Sequence, residues 1–583
     1  MRKQKNKEKG ITLISLVVTI IVLIILAGVS INMLVGDNGI ITKVQEAKEE
    51  TEQAQKDELQ DLSSLETAIE ESLGNVYNEE KGVNVPKLAQ GMSPIKFTDP
   101  TDSEKGTIVE ITNDDADWYD YEAKKWANAQ TEDGSMWVWI PRFAYRVNSS
   151  TQNFDVVFLI GTTDTYYDEN GQVQTAKRCT SEDKFVDTST GYTVHPAFTD
   201  ETAINYRNGG WDKEITGIWV AKFEAGYASG NNSAEVVASS VNYTQTDSWV
   251  ADIEAGNTTS GGSFQNARNW LDGEYGDRTT SIKYPVFQPL TYSMNYININ
   301  DSYNIAKELT EDRNIYGFTK SEDSHLMKTS EWGAVAYLSK SKYGLNTENI
   351  AINNISLNSG NRQRTEAKGR SGVDSVYAVT GCTTGSYEEG EKQTTIENIN
   401  STVGNTASDG VYTWNQLTGT KASTTGNIYG IYDFSGGNLE RTTGYIANNN
   451  SSLQVYGSSI SYNKKGLKTV STKYTTAYPY DSTTDQPEIT DSGNDNTNLN
   501  IASTNNYIAN TLIYGDAVHE IAKAGIGRTS WNSDNSNYPG LYCPFFVYGG
   551  RFSNNVGAGV FSFDRNYGYS HCSHGFRATV IVA

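Results

Sequence analysis

From Gly10 to Gly36 the chain carries no charged side chain, and this run constrains everything around it. Arg2, Lys3, Lys5, Lys7 and Lys9 precede it, and acids follow from Asp37 onward. About 20 apolar residues cross a bilayer as a helix, and Ile11–Val35 is long enough to do so. Basic residues before the run and acids after it agree with a cytoplasmic N-terminus. A secretory signal peptide has a shorter apolar core, with its small-residue cleavage site at the far end. The spacing predicts a transmembrane helix over 11–35 and a break at Gly36–Gly39. A second helical segment is expected over 40–73, rich in Glu, Ala, Gln, Leu and Lys. There Leu62, Leu65, Ile69 and Leu73 share one helical face. Ten acids against two lysines lie between Glu46 and Glu71, which suits either a stalk packed on neighbouring helices or a solvated spacer.

The junction Lys9-Gly10-Ile11-Thr12-Leu13 resembles the processing site of a type IV prepilin: a basic leader, a glycine, then an apolar residue that becomes the methylated N-terminus. The resemblance implies cleavage between Gly10 and Ile11 by a prepilin peptidase. It also implies insertion in the cytoplasmic membrane through the N-terminal helix and contact with other pilins and the assembly machinery in an extracellular filament. One position departs from the family. Most pilins carry Glu at the fifth mature position, and this chain has Ser15. A carboxylate in lipid is costly and therefore usually functional. Its absence fits a minor or tip subunit better than a repeating shaft subunit.

At 583 residues the chain is far larger than a simple filament subunit needs. A net charge of −23 argues against nucleic acid as a partner, because that binding rests on clustered Lys and Arg. Cys179, Cys382, Cys543 and Cys572 are too few and too scattered for a disulfide framework; Cys543 and Cys572 are close enough in sequence to be candidates for pairing. No CxxC spacing suggests structural zinc.

A linker is expected over 76–117, followed by aromatic-rich blocks with strand character. These are Trp118-Tyr119-Asp120-Tyr121 with Trp126, then MWVWIPRFAYRV at Met136–Val147, then GIWVAKFEAGY at Gly217–Tyr227. A helix is expected from His325 to Gly344, with Leu326, Trp332, Val335, Ala336 and Leu338 on its apolar face and Gly344 as C-cap. Segments 346–426 and 451–506, dominated by Asn, Thr, Ser and Gly, read as surface insertions with little core of their own.

Five blocks, in order, are similar to the C-type-lectin-like fold of formylglycine-generating enzyme and its non-enzymatic relatives. They are IWVAKFE, SEWGAVAYLS (Ser330–Ser339), GIYDFSGGNLE (Gly430–Glu440), GGRFSNN (Gly549–Asn555) and HGFR (His574–Arg577). The fold class this implies is α+β: a long N-terminal pilin-like transmembrane helix, followed over 118–583 by a C-type-lectin-like domain of the formylglycine-generating-enzyme type with long loop insertions. The family's oxidase uses two cysteines just after the GGSW-like block, where this chain has Arg551-Phe552-Ser553-Asn554-Asn555-Val556 and no cysteine. His195, His325 and His519 are scattered and read as surface or packing residues, and the crowded set His571-Cys572-His574 is a poor metal site. The chain is therefore not expected to be an enzyme, and no cofactor is required. The resemblance implies a structural calcium at Asp433, Gly436, Asn438 and Glu440, which offer hard oxygen ligands; a tight turn with capping acids is the alternative.

From Gly525 to Ala583 there is no Lys, Glu, Gln or Met. That resembles the set reachable by varying the adenines of AAC codons, which never gives Lys, Glu, Gln, Met or Trp. The resemblance is to lectin-fold relatives diversified by reverse transcription (diversity-generating retroelements), whose variable residues form a ligand surface, and it implies the same here. Aromatics interleaved with small polar residues are also paratope chemistry. The candidate ligand-binding residues are Trp531, Asn532, Tyr538, Tyr542, Phe545, Phe546, Tyr548, Arg551, Phe552, Asn554, Asn555, Asp564, Asn566, Tyr567, Tyr569, His571, Ser573 and His574. Phe561, Phe563 and Phe576 are expected in the core. The expected function is a surface-displayed, pilin-like adhesin or receptor. Its partner would be a protein or glycan on a cell, a phage or another surface. The alternatives are a filament subunit decorated by a large domain and a surface oxidase.

Overall fold

The computed structural model describes residues 17–20, 76–178, 191–200, 209–227, 285–289, 292–294, 297–312, 314–352, 377–379, 411–448, 450–461, 473–479, 507, 514–523, 526–540, 543–551, 554, 557–569 and 573–582. The chain divides into two compact units, Met1–Glu66 and Thr67–Ala583. In the first unit only Val17–Ile20 is described, as helix. The Gly10–Ile11 junction and the 40–73 segment lie outside the described residues.

Burial of aromatic and β-branched runs builds the second unit. MWVWIP (Met136–Pro141) and GIWVA (Gly217–Ala221) are buried along their whole length. They pair antiparallel as Gly217↔Pro141 through Ala221↔Trp137, at the centre of a seven-stranded antiparallel sheet. The strand order is Glu322–Leu326, Ala578–Val582, Gly217–Ala221, Met136–Pro141, Asn128–Thr131, Met92–Phe97, Ile108–Glu110. Gly217 is required here because a Cβ would overlap the Trp139 indole, which packs on Trp219 at 5.3 Å. A second sheet of mixed direction runs Thr476–Pro479, Leu439–Ala447, Phe545–Tyr548, Phe563–Asn566, Ser536–Asn537, Ile526–Gly527, with His574–Phe576 parallel to Leu439–Arg441. The C-terminus thus serves both sheets, leaving the second at Phe576 and entering the first at Ala578. A third, smaller sheet is ordered Thr193–Val194, Phe143–Asn148, Asn153–Phe158.

One helix, Thr329–Ser339, is buried on every side. Glu331 accepts the Lys328 N–H at 2.8 Å and closes its first turn. Trp332 stacks on Phe434 at 4.0 Å and donates its indole N–H to the Val560 carbonyl at 2.8 Å. At the other end Tyr337 stacks on Phe154 at 3.9 Å. The expected His325–Gly344 helix is therefore shorter, since His325 belongs to a strand and the helix ends before Lys340. A Cβ on Gly333 would overlap the Gly515 carbonyl. Gly→Ala inside a helix ordinarily stabilises it by roughly 0.5–1 kcal/mol. Gly333→Ala is expected to do the reverse and destabilise by about 1–3 kcal/mol through overpacking. Urea denaturation followed by tryptophan fluorescence checks the sign.

The expected fold class is corrected in its helical part. Among the described residues no helix is long and apolar enough to cross a membrane. The fold there is mostly sheet, and its Thr329–Ser339 helix has 11 residues. Aromatic and β-branched runs pair into sheets instead of extending a helical scaffold. The segment expected as a linker also does structural work, because Met92, Ile95 and Phe97 are buried in the first sheet. Parts of the expected insertions are likewise core: Ile350, Ile352, Trp414 and Ala422 are buried, and Thr476–Pro479 pairs with Gly444–Ala447.

Candidate functional site

The C-terminal candidates separate by burial into three groups. Tyr538, Phe545, Phe546 and Tyr548 are fully buried and Trp531 nearly so. Their rings pack on one another and on the rest of the core: Tyr538 on Phe546 at 5.2 Å, Phe546 on Tyr478 at 4.8 Å, Tyr548 on Trp332 at 5.2 Å, Trp531 on Phe154 at 5.1 Å. These five residues are core, three of them in the strand Phe545–Tyr548, and do not face solvent. The reason lies in pairing: Phe545–Tyr548 is flanked on both sides, by Glu440–Tyr445 and by Phe563–Asn566. Phe561, Phe563 and Phe576 are core, as expected.

A second group positions the surface. Asn566 is 5 % exposed; its Oδ1 accepts from Arg441 Nη1 at 2.9 Å and from the Gly568 N–H at 2.7 Å. His574, 7 % exposed, lies 3.2 Å from Asn566 Nδ2. Arg441 is fully buried and also donates to the carbonyls of Ile297 and Tyr569. Burial lowers its guanidinium to about 9. Ser573 is buried, and its carbonyl accepts the Leu439 N–H at 2.9 Å.

The third group reaches solvent. Tyr567 is 38 % exposed and stacks on half-buried Tyr569 at 5.6 Å. Gly568 between them has φ +93°, and a Cβ there would press into the Phe545 ring, so the glycine makes the turn that sets the two tyrosines side by side. Asn532, Arg551, Asn554 and Asp564 are partly exposed. Asn532 is held at φ +60°, with its N–H on Gln152 Oε1 at 3.1 Å. Arg551 N–H donates to Asn554 Oδ1 at 2.7 Å. Burial raises the Asp564 carboxyl. Beneath Tyr567, Cys543 carries a free thiol that burial pushes up to about 12. Tyr542, Phe552, Asn555 and His571 lie outside the described residues, as does Cys572.

The expected calcium ligands sit in a tight turn in which Asp433 (φ +66°), Gly436 (φ +89°) and Gly437 (φ +68°) are left-handed. Asp433 Oδ2 accepts the Glu224 N–H at 3.2 Å. Both Glu440 oxygens are taken by the Arg577 guanidinium, one at 2.6 Å from Nε. Buried Asn438 has neither side-chain atom hydrogen-bonded. Among the described residues no group of three His, Cys, Asp or Glu is arranged to hold a metal ion. With Glu440 committed to Arg577, the four residues do not fit calcium as a set. Burial, followed by Asp433 and Glu440, pushes the Glu224 carboxyl well up, so a proton on Glu224 relieves the crowding of acids. Sequence reasoning missed Glu224 in this cluster because it arrives from the segment after the strand Gly217–Ala221, more than 200 residues away.

Of the histidines expected at the surface or in packing, His195 and His325 are in the interior. His195 is fully buried, and His325 bonds Glu331 at 2.8 Å and Thr579 at 2.6 Å. No family model and no curated protein matches this chain.

Proposed function

We propose that this protein binds a ligand through the solvent-facing part of its C-terminal segment and acts as a surface-displayed adhesin or receptor of C-type-lectin-like character. The observation that carries this reading is the Tyr567-Gly568-Tyr569 turn. It presents two stacked tyrosines on a turn tied to buried Arg441 and Asn566. Tyrosines offer contact area at low entropic cost, and neighbouring Asn, Arg and Asp side chains offer adaptable polar contacts. The absence of Lys, Glu, Gln and Met from Gly525 onward supports variation in this segment. On this reading the solvent-facing positions vary and the buried aromatics stay constant. The basic leader and the Gly10–Ile11 junction support export and processing, and with them display outside the cell.

Two measurements test the reading. Gene copies from several isolates should differ at Asn532, Arg551, Asn554, Asp564, Tyr567 and Tyr569 while Phe545, Phe546 and Tyr548 stay aromatic; even scatter over the chain would refute variation. Purified protein on beads should adhere to a target cell or phage. Tyr567→Ala should weaken adhesion about thirtyfold, matching the ~2 kcal/mol of an aromatic hot spot, without lowering Tm. Unchanged adhesion in both Tyr567→Ala and Arg551→Ala would move the site elsewhere.

A further inference from the structure

Far along the chain from the C-terminal segment, a cleft of about 990 Å³ opens beside the edge strand Asn153–Phe158. Its walls are the Tyr77–Lys81 turn, the hairpin Thr165–Tyr167/Val173–Thr175 and the segment after the long helix, at Lys342–Asn346. Five tyrosines line it: Tyr77, Tyr166, Tyr167, Tyr192 and Tyr343. Tyr77 and Tyr167 lie 6.1 Å apart, inclined at 44°, and Tyr167 is 42 % exposed. Tyr166 meets Tyr192 edge-on at 5.3 Å, and Tyr343 is braced from behind by Phe158 at 4.5 Å. Burial and the neighbouring Tyr167 and Tyr343 phenols raise Tyr77 to about 12, which keeps its hydroxyl a neutral donor.

The cations of the cleft are already committed. Arg146 pairs with Asp155 at 2.6 Å while lying over the Tyr192 ring, and Lys342 pairs with Glu122 at 2.8 Å. Lys81 Nζ donates to the carbonyls of Ala116 and Tyr119, each at 2.7 Å. Asp168 accepts the N–H groups of Asn170 and Gln172, each at 2.9 Å. An anionic ligand therefore meets no uncommitted cation here, and exposed Glu79 and Glu169 would repel it. What the cleft offers is tyrosine ring faces, phenol hydroxyls and half-exposed guanidinium–carboxylate and amide groups, including Asn153 and Asn346. Ring faces suit the C–H faces of a pyranose, and fixed pairs of donors and acceptors suit its vicinal hydroxyls. The volume falls in the range of ligand sites in proteins.

We propose that this cleft is a second binding site, specific for a neutral oligosaccharide. The proposal does not rest on the C-terminal face. The test is isothermal titration of the full chain with neutral hexasaccharides of glucose, N-acetylglucosamine, mannose and galactose, alongside a heparin hexasaccharide and a hexalysine peptide. At least one neutral sugar should bind; Tyr167→Ala and Tyr192→Ala should each weaken it tenfold or more with Tm unchanged, and Tyr192→Phe should retain more affinity than Tyr192→Ala. Tyr567→Ala should leave this affinity unaltered, which separates the two sites. Failure of every neutral sugar to bind overturns the proposal. So does binding indifferent to Tyr167 and Tyr192, or a cleft that takes only hexalysine or heparin.

Discussion

Arg577→Ala is expected to lower stability by about 3–5 kcal/mol, the typical cost of stripping one partner from a buried ion pair. Arg577 is fully buried and grips both oxygens of Glu440, which is 1 % exposed. The same guanidinium donates to the Ala221 carbonyl at 2.8 Å and the Tyr432 carbonyl at 2.9 Å, and lies over the Phe434 ring at 4.5 Å. It stands where the chain passes from the second sheet into the first, so one side chain joins Gly217–Ala221, the Asp433 turn and Leu439–Ala447. Alanine leaves a buried carboxylate and carbonyls without donors. Arg577→Lys should recover only part of the loss, since an ammonium cannot reproduce the planar fork. The double variant Arg577→Met/Glu440→Leu should be less damaged than Arg577→Ala, because it removes the stranded charge. Urea midpoints by tryptophan fluorescence rank the three; a loss below ~1 kcal/mol for Arg577→Ala contradicts the role given to the pair.

Stability should fall as pH rises from about 5 to about 8. Glu520 is the clearest source. It accepts the Tyr145 hydroxyl at 2.9 Å, and burial, with nearby Asp516, raises its carboxyl to about 7 from an ordinary 4.5. Between those values the folded chain holds a proton that the unfolded chain has released. Folding is then favoured at the acidic end, and the contribution is lost as pH climbs through 7. A shift of that size corresponds to about 3 kcal/mol. Asp133, raised to about 6 by burial, and Glu224 act in the same direction. Asp323 opposes them only at low pH: it is held well below the ordinary carboxylate value by His325, Tyr474 and Lys473 against burial, so its contribution is lost in acid. Buried His195, its imidazole held well below the ordinary value by burial, opposes them below about pH 6.5, where the unfolded chain takes up a proton that the folded chain excludes. The net charge of −23 also favours mild acid by easing repulsion. Glu520→Gln separates the two causes. It should flatten the Tm–pH profile, whereas Glu122→Gln, an equal change of charge at an exposed site, should not. An unaltered slope in Glu520→Gln would exclude the buried carboxyl as the cause.

Much of the sheet was legible from local composition. MWVWIP and GIWVA are aromatic and β-branched, and both became central strands. The block around Trp332 read as a helix, and its apolar residues are buried. Its boundaries were less legible, because Glu322–Leu326 pairs with Ala578–Val582, more than 250 residues away. Met92–Phe97 passed for linker because Ser93, Pro94 and Lys96 dilute its apolar residues, although alternation places Ile95 and Phe97 inward. At the C-terminal segment, composition marked aromatics interleaved with small polar residues but not which of them face water. Phe546 and Tyr567 look alike in such a segment; one is covered by Tyr478 and Tyr538, the other is lifted out by the Gly568 turn.

What the sequence determined alone is therefore local: the charge-free run after a basic stretch, the strand-forming blocks, the buried-helix block and a C-terminal stretch drawn from a restricted set of residues. Tertiary structure alone decided which aromatics are core and which are surface. It also committed Glu440 to Arg577 instead of to a cation and gathered Tyr77, Tyr166, Tyr192 and Tyr343 around one cleft. The physical reason is that secondary-structure preference acts between neighbours in the chain. Burial, ion pairing and clefts depend on groups brought together from hundreds of residues apart, and no local pattern records those meetings.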